Sequence, residues 1–257
     1  MRLARGVLRC APKWRTQLTR KGRIRRMNLL AIETSTEAGS IALCPNGALV
    51  RRACPAGVPH SATLLPLIRN TLGDLGLSLG KLDGIAFAAG PGSFTGLRVA
   101  CGVAQGLAVA YDLPVIAVGT LAALAAASGG ERVLVALDAR MGEVYFAAFV
   151  GGQPVTSTVV APADKIELPA GRGWLACGNG LVAHPPLRAR LAPIVDVWQP
   201  ELIPDAGAVA RLALAALARG EGVDAADAVP VYVRNKVAMT VAERLPPRGP
   251  NGWRCCQ

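Results

Sequence analysis

The chain repeats one local pattern, and this repetition constrains its fold more than any other feature of the sequence. In each copy an apolar run ends in an acidic residue, a short turn follows, and a second apolar run returns. The first copy covers residues 28–44 around Glu33, and the second covers residues 132–150 around Asp138. Such a pattern predicts a β-hairpin in each copy. We interpret the pair as one ancestral lobe used twice, with a boundary near residues 127–131.

The segments around the two hairpins predict a compact α/β core. Apolar runs bounded by turn residues predict further strands at residues 49–53, 84–89, 114–118, 155–160 and 174–177. Helical spacing of apolar residues predicts helices at residues 60–73, 95–111, 121–127 and 205–219. The last of these helices should begin at an Asp205 cap and end at Gly220.

The charge of the chain is concentrated in its N-terminal tail. The 257 residues carry a formal net charge of +11, but residues 1–26 contain ten of the 28 basic side chains and none of the 17 acidic ones. The rest of the chain is nearly neutral, so the composition does not predict a broad phosphate-binding face. Its longest uncharged runs are interrupted by glycine and proline, which argues against a membrane span.

Residues 1–26 have two interpretations. They resemble an arginine-rich transit peptide, although they lack serine, or they lie upstream of a true start at Met27. We favour the second interpretation, because a predicted strand begins directly after Met27. The chain has seven cysteines without a CxxC pair, and its tail has no apolar signal core. These features predict a protein of the reducing cytoplasm.

The glycine-rich loop GPGSFTG, at residues 90–96, follows a predicted strand and opens a predicted helix. Its glycines permit close backbone approach, and free amides at the helix start could face an anion. The spacing matches neither the Walker nor the Rossmann pattern. The alternative is a plain strand-to-helix turn capped by Ser93 or Thr95.

Other signals for cofactor or metal binding are weak. The segment GNGLVA at residues 178–183 fits a dinucleotide-binding pattern, but His184-Pro185-Pro186 should block a helix soon after it. His60 and His184 are the only histidines, so a three-ligand zinc site would need scattered cysteines and acids. We interpret His60 as a polar residue at a helix start.

The helix predicted at residues 95–111 is rich in small residues. They recur at helical spacing: Ala100, Gly102, Ala104, Gly106 and Ala108. Glycine in a helix interior costs about 1 kcal/mol relative to alanine, so something other than helix propensity favours it here. The small face either packs on the sheet of its own lobe or contacts a helix of another chain.

Four motifs resemble, in the same order, those of the TsaB (YeaZ) family. They are AIETST at residues 31–36, GPGSFTGLR at 90–98, LDAR-x-x-EVY at 137–145 and PVYVRNKVA at 230–238. The resemblance extends from Met27 to about Ala238. Members of that family are the non-catalytic subunit of the bacterial machinery that makes tRNA threonylcarbamoyladenosine.

The resemblance implies an α/β, two-lobed fold of the actin/Hsp70-like (ASKHA) class, with a mixed sheet and flanking helices in each lobe. We expect an N-terminal lobe at residues 27–128 and a C-terminal lobe at residues 129–239. A basic extension at residues 1–26, either disordered or untranslated, would precede them. A flexible tail at residues 240–257 would follow them.

The resemblance also implies that the chain is not an enzyme. TsaD-like catalytic relatives carry two metal-binding histidines, four residues apart, and the matching positions here are Thr120 and Leu124. Neither side chain is a plausible iron or zinc ligand, so no metal and no required cofactor are expected. The resemblance leaves open whether a nucleotide binds weakly at the lobe cleft or at a complex interface.

The implied function is that of a scaffold. It would pair with a TsaD-like catalytic subunit and, with a TsaE-like ATPase, support threonylcarbamoyl transfer to N6 of adenosine 37 in tRNAs that read ANN codons. Without the TsaD-like subunit it would form a homodimer, and it would meet tRNA only through the complex. The alternatives are an actin-fold, ATP-dependent kinase that uses Glu33 and Asp138, and a metallopeptidase-like enzyme.

Three sets of residues carry these expectations. The partner interface, on helices 60–72 and 95–111, comprises Leu64, Leu67, Ile68, Val99, Ala100, Val103 and Ala104. The family motif loop comprises Gly90, Pro91, Gly92, Ser93, Phe94, Thr95, Gly96 and Arg98. The degenerate nucleotide cleft comprises Glu33, Thr34, Ser35, Asp138 and Arg140.

Overall fold

The computed structural model describes residues 27–234. Within this range the chain forms two mixed β-sheets of related topology. The first sheet contains β1 (Leu29–Glu33), β2 (Ser40–Cys44), β3 (Val50–Ala53), β4 (Gly84–Gly90) and β5 (Val115–Gly119). Its strand order is β3-β2-β1-β4-β5, in which β1 and β2 form an antiparallel hairpin and β4 and β5 run parallel to β1.

The second sheet repeats this arrangement. Its strands are β6 (Arg132–Asp138), β7 (Glu143–Val150), β8 (Gln153–Pro154), β9 (Val159–Pro162), β10 (Trp174–Cys177) and β11 (Val195–Gln199). The strand order is β11-β10-β6-β7-β8, with β9 also paired to β7. β6 and β7 form the antiparallel hairpin, and β10 lies parallel to β6 as β4 lies parallel to β1. Both predicted hairpins are confirmed.

One strand prediction is wrong. Residues 155–160 were expected to form a single strand, but two short strands, β8 and β9, flank residues 155–158 instead. Gly151 and Gly152 both have positive φ, which turns the chain back sharply after β7. Both short strands then pair with β7, so this edge of the sheet is made of two pieces.

The described range contains six α-helices, and the four longest of them begin and end near the predicted positions. The six are α1 (His60–Asp74), α2 (Phe94–Tyr111), α3 (Thr120–Ser128), α4 (Gly180–Ala183), α5 (Pro185–Leu191) and α6 (Ala206–Ala218). Ser93 caps α2 by accepting a hydrogen bond from the Gly96 amide, and Asp205 caps α6 by accepting two. α1 starts at His60, as expected from the sequence.

The chain around residues 184–199 differs from the prediction. α4 does end at Ala183, where His184-Pro185-Pro186 was expected to block a helix. A second helix nevertheless starts at Pro185, because the first turn of a helix leaves its amides free and tolerates proline. Neither α5 nor β11 is among the predicted elements.

The first sheet is covered on both faces. Residues that alternate along β1 face opposite sides, so Leu30 and Ile32 pack beneath α1 and α2, whereas Leu29 and Ala31 pack beneath α6. All four side chains are fully buried. The covering of both faces explains why β1 is apolar at every position before Glu33 and why β4 has no polar side chain.

Helices tie the two lobes together. α6 follows the second sheet in the chain but packs on the first, through buried residues such as Val209 and Leu217. α3 contacts both cores, with Ala123 in the first and Leu121 in the second. The packing therefore crosses the boundary predicted at residues 128/129, and the sequence limits of the lobes stay a prediction.

The architecture is the two-lobed α/β arrangement expected from the sequence. None of the helices described in residues 27–234 has the length and apolar character needed to cross a membrane.

Candidate functional site

The glycine-rich loop packs against the first acidic turn. The Ser93 amide donates to the Ser35 carbonyl oxygen at 2.7 Å, and Thr34 Oγ1 donates to the Gly96 carbonyl oxygen at 2.8 Å. A Cβ atom at Gly96 would lie 1.8 Å from the Thr34 carbonyl oxygen, and one at Gly92 would lie 2.6 Å from that of Ser35. The glycines are thus explained by contact with the protein's own backbone, which supports the turn interpretation over an open anion site.

Glu33 lies at the bottom of this contact and is fully buried. Its Oε1 atom accepts a hydrogen bond from the Ser35 amide at 2.5 Å, while Oε2 has no partner among the described residues. Loss of solvation by burial raises the pKa of this carboxyl from 4.5 to about 7, although the contacts with Ser35 lower it. The Glu33 carboxyl is therefore more readily protonated than that of a solvent-exposed glutamate.

Asp138 ends the equivalent strand of the second lobe in a different setting. Its Oδ1 atom accepts hydrogen bonds from the Arg140 amide at 2.9 Å and from His184 Nε2 at 3.1 Å. The Asp138 amide in turn donates to Asn179 Oδ1 at 3.0 Å. Asp138 and His184 are 46 residues apart, and no motif spacing in the sequence signals their contact.

The predicted nucleotide cleft is only partly assembled. Thr34 and Ser35 are buried beneath the glycine-rich loop. On the other side, the Arg140 guanidinium lies 3.5 Å from Asp138 Oδ2 and 3.5 Å from Glu37 Oε1 of the first lobe. Arg140 therefore bridges two acids across the cleft in this structure.

The structure places no metal-ligand cluster in the described part of the chain, where no three histidine, cysteine or acidic side chains converge. Thr120 and Leu124, at the positions where TsaD-like relatives carry histidines, are both fully buried. Leu124 packs in the core beneath the second sheet. Leu124 has no ligand atom, and Thr120 offers only a neutral, buried hydroxyl oxygen.

Four residues predicted for the partner interface lie inside the protein. Leu64 and Ile68 on α1 and Ala100 and Ala104 on α2 are at most 2% exposed, because they pack on the first sheet. Leu67, Val99 and Val103 are half-buried at the edge of the same core. The alanine stripe is thus explained by packing on the sheet of its own lobe.

A different face of the same helices is exposed. Leu65 on α1 and Val109 on α2 are 51% and 71% exposed. Cβ atoms added to Gly102 and Gly106 would meet nothing within 4 Å, so between residues 100 and 108 the outward small residues of α2 are its glycines. Alanines and glycines alternate along α2, and the sequence pattern alone does not say which set faces the sheet.

An apolar groove runs beside this exposed face. It encloses about 600 Å³ between α1, α2 and the 3-10 turn Leu79–Lys81. Nearly all of its lining is apolar, and the apolar side chains that line it include Leu65, Pro66, Leu72, Leu77, Leu79 and Leu107. Arg69 is the one charged residue in the lining given by the described part of the chain.

Two motif-loop residues point outward at the start of α2. The Arg98 guanidinium lies 3.6 Å from the centroid of the Phe94 ring, in a cation–π contact. Arg98 Nε also donates to the Tyr232 hydroxyl at 3.0 Å. These contacts join the GPGSFTGLR motif to the PVYVRNKVA motif, of which residues 230–234 are described.

Comparison with known proteins agrees with this architecture. Residues 55–171 match the family described as "TsaD: tRNA N6-adenosine threonylcarbamoyltransferase". The "tRNA threonylcarbamoyladenosine biosynthesis protein TsaB" of Escherichia coli is 36% identical over 227 residues, covering 82% of this chain and 96% of that protein. The protein of the same name from Haemophilus influenzae is 34% identical over 239 residues, covering 86% and 98%.

Solved structures agree as well. A solved structure of "YeaZ from Pseudomonas aeruginosa" is 38% identical, with a TM-score of 0.71 over 80% of this chain and 99% of that chain. A second, of "an uncharacterized protein with similarity to peptidase YEAZ from Pseudomonas aeruginosa", has a TM-score of 0.72 over 81% and 100% at 38% identity. Fold and cleft thus define a two-lobed α/β protein with a related mixed sheet in each lobe. The chain belongs to the TsaB (YeaZ) family.

Proposed function

We propose that this protein acts in the biosynthesis of tRNA threonylcarbamoyladenosine as a non-catalytic subunit that docks a TsaD-like catalytic subunit. The observation that carries the proposal is the exposed apolar face of α1 and α2. A groove of about 600 Å³ with one charged lining residue, beside side chains that are 51% and 71% exposed, is typical of an interaction surface.

The interface that we propose uses the same two helices as the one expected from the sequence, but different residues on them. The face offered to a partner is formed by Leu65, Gly102, Gly106, Leu107 and Val109. Two glycines, one turn of helix apart, would let the backbone of a partner helix come close to α2. Leu64, Ile68, Ala100 and Ala104 would support this face from beneath, as part of the core.

The state of the cleft supports a role without catalysis. Glu33 is sealed beneath the glycine-rich loop, and burial raises the pKa of its carboxyl to about 7, which disfavours the ionised form. Arg140 already pairs with Glu37 and Asp138. An actin-fold kinase or a metallopeptidase therefore finds less support here than a scaffold does.

The remaining roles are proposed on the basis of family membership. The protein would work with a TsaE-like ATPase, form a homodimer when the TsaD-like subunit is absent, and contact tRNA only within the complex. The transferred group would be threonylcarbamoyl, and the acceptor would be N6 of adenosine 37 in tRNAs that read ANN codons. The expected compartment is the cytoplasm.

The test is co-expression with the TsaD-like subunit of the same organism, followed by size-exclusion chromatography and titration. Leu65→Glu places a charge on the exposed face, where the free chain leaves it in water. Burying that charge on binding costs several kcal/mol, so the affinity should fall about a hundredfold or more. tRNA modification should fall with it.

The matched control is Val182→Glu, which changes a side chain that is 63% exposed on α4, in the second lobe. It should bind the TsaD-like subunit normally. The proposed interface is wrong if Leu65→Glu, folded by circular dichroism, binds as tightly as this control. Ala104→Glu is unsuitable, because Ala104 is fully buried and the change would disrupt the core.

A further inference from the structure

Residues 228–234, which we name the C-terminal strap, leave the 3-10 turn Ala225–Asp227 and cross the outside of the molecule. The strap begins on α2. The Ala228 carbonyl oxygen accepts hydrogen bonds from Gln105 Nε2 at 2.9 Å and from Cys101 Sγ at 3.3 Å. The strap is therefore fixed to the middle of the helix that forms half of the exposed face.

The strap next lies against the end of β4. The Val231 amide donates to the Ala89 carbonyl oxygen at 2.7 Å. A Cβ atom at Gly90 would lie 2.6 Å from the Val231 carbonyl oxygen, and Gly90 has φ of +121°. A side chain at position 90 would thus displace the strap. The strap can pack against the motif loop here because its first residue is glycine.

Tyr232 then covers the first turns of α2. Its ring lies 5.7 Å from the Phe94 ring, centroid to centroid, and its hydroxyl accepts the hydrogen bond from Arg98. Aromatic pairs at this separation are attractive beyond their area of contact. Strap and helix start therefore form one unit.

The strap ends on the other lobe. The Arg234 guanidinium forms an ion pair with the Glu143 carboxylate at the start of β7, and its Nη1 lies 3.6 Å from Met141 Sδ in the preceding turn. The Arg234 and Glu143 side chains are 15% and 31% exposed. The other ion pair between the lobes in the described residues, Arg140 with Glu37, is 77% and 96% exposed and is screened by water.

We propose that the C-terminal strap is a latch that holds the two lobes in one arrangement and transmits that arrangement to the first turns of α2. The half-buried Arg234–Glu143 pair closes the latch, since removal of either partner leaves the other charge without compensation. The contacts of residues 228–232 carry the effect to Phe94 and Arg98. Any consequence for partner binding rests on the proposed function; the latch itself does not.

Hydrogen–deuterium exchange on the full chain tests the latch without a partner. Arg234→Glu and Glu143→Arg each place like charges together, so peptides within residues 86–101 and 224–234 should exchange about tenfold faster. The double variant Arg234→Glu/Glu143→Arg restores an opposite-charge pair and should restore protection. Arg140→Glu breaks the exposed interlobe pair and should leave both peptides unchanged.

The latch is refuted if exchange in both peptides is unchanged in folded Arg234→Glu, or if the double variant exchanges as fast as the single ones. If Arg234→Glu does not fold, Glu143→Gln removes the charge at nearly constant volume and is read by the same criteria. Titration with the TsaD-like subunit separates the two proposals. Normal binding by Leu65→Glu refutes the interface and leaves the latch standing, whereas unchanged exchange in Arg234→Glu refutes the latch alone.

Discussion

Glu33 and Asp138 each end the first strand of a hairpin, and each meets a glycine-containing loop that follows the neighbouring parallel strand. In the first lobe, a Cβ atom at Gly96 would lie 1.8 Å from the Thr34 carbonyl oxygen. In the second lobe, a Cβ atom at Gly178 would lie 2.3 Å from the Ala136 carbonyl oxygen. The backbone arrangement is thus similar in the two lobes. The chemistry is not, since Glu33 is sealed from water whereas Asp138 is paired with His184 and Arg140.

This difference shows that a repeated fold does not imply a repeated site. The first copy uses its glycine loop and acidic turn to pack against each other and to support α2. The second copy leaves its acid near the surface, where it joins the turn to α4 and α5 through His184. Both acids were expected in one nucleotide cleft, but Glu33 is closed off beneath the glycine-rich loop, whereas Asp138 contacts His184 and Arg140.

The largest expected effect tests the loop of the first lobe. Gly96→Ala forces Cβ to within 1.8 Å of a carbonyl oxygen, which only a backbone shift relieves. We expect a loss of about 4 kcal/mol or more in the free energy of unfolding, or failure to fold. The control is Gly102→Ala on the same helix, where nothing lies within 4 Å and alanine should stabilise by up to about 1 kcal/mol. Urea denaturation compares the two, and equal stability would contradict the close packing.

The second prediction concerns the buried acid. Because the pKa of Glu33 is raised from 4.5 to about 7 in the folded protein, folding takes up a proton between these values. The stability linked to this carboxyl is fully present below about pH 4.5 and is lost as pH rises through about 7, by about 3 kcal/mol in total.

Glu33→Gln should remove this dependence. The glutamine amide oxygen keeps the acceptor for the Ser35 amide without a charge to desolvate. The variant should therefore lose less stability than the unchanged chain between pH 4.5 and pH 8, as followed by urea denaturation across that range. Parallel pH profiles for the two proteins would mean that Glu33 does not take up the proton.

Much of this fold follows from the sequence, because the hairpins and the capped helix α6 carry strong local signals. Asp205 and Gly220 mark α6 correctly, and the glycine loop begins α2 where Ser93 caps it. The return of α6 to the first sheet is not visible locally, since an alanine-rich apolar helix fits either sheet equally well. That choice depends on the path of the whole chain.

The exposed face of α2 was the harder prediction. Its alanines and glycines are all small, so helical spacing defines two similar stripes. The spacing does not show which stripe is buried against the sheet. Only packing on the sheet buries Ala104 and leaves Gly106 outside. His184 was missed for a related reason, because its partner Asp138 is brought close by the sheet and not by the sequence.

The smallest effect in this comparison is expected at the second acid. Asp138→Asn keeps the shape of the side chain and an oxygen for the Arg140 amide, but it removes the charge that faces His184 and the Arg140 guanidinium. The Asp138 and His184 side chains are 16% and 12% exposed, so the charge-assisted contact between them is partly shielded from water. We expect a loss of about 1 kcal/mol in the free energy of unfolding at pH 7.

The control is Arg140→Ala, which removes only the exposed partner. Its free energy of unfolding should stay within about 0.5 kcal/mol of that of the unchanged chain. Urea denaturation measures both losses. If Asp138→Asn loses as much stability as the roughly 3 kcal/mol linked to the Glu33 carboxyl, the second acid contributes to the fold as much as the first does. The contrast between the two lobes would then be wrong.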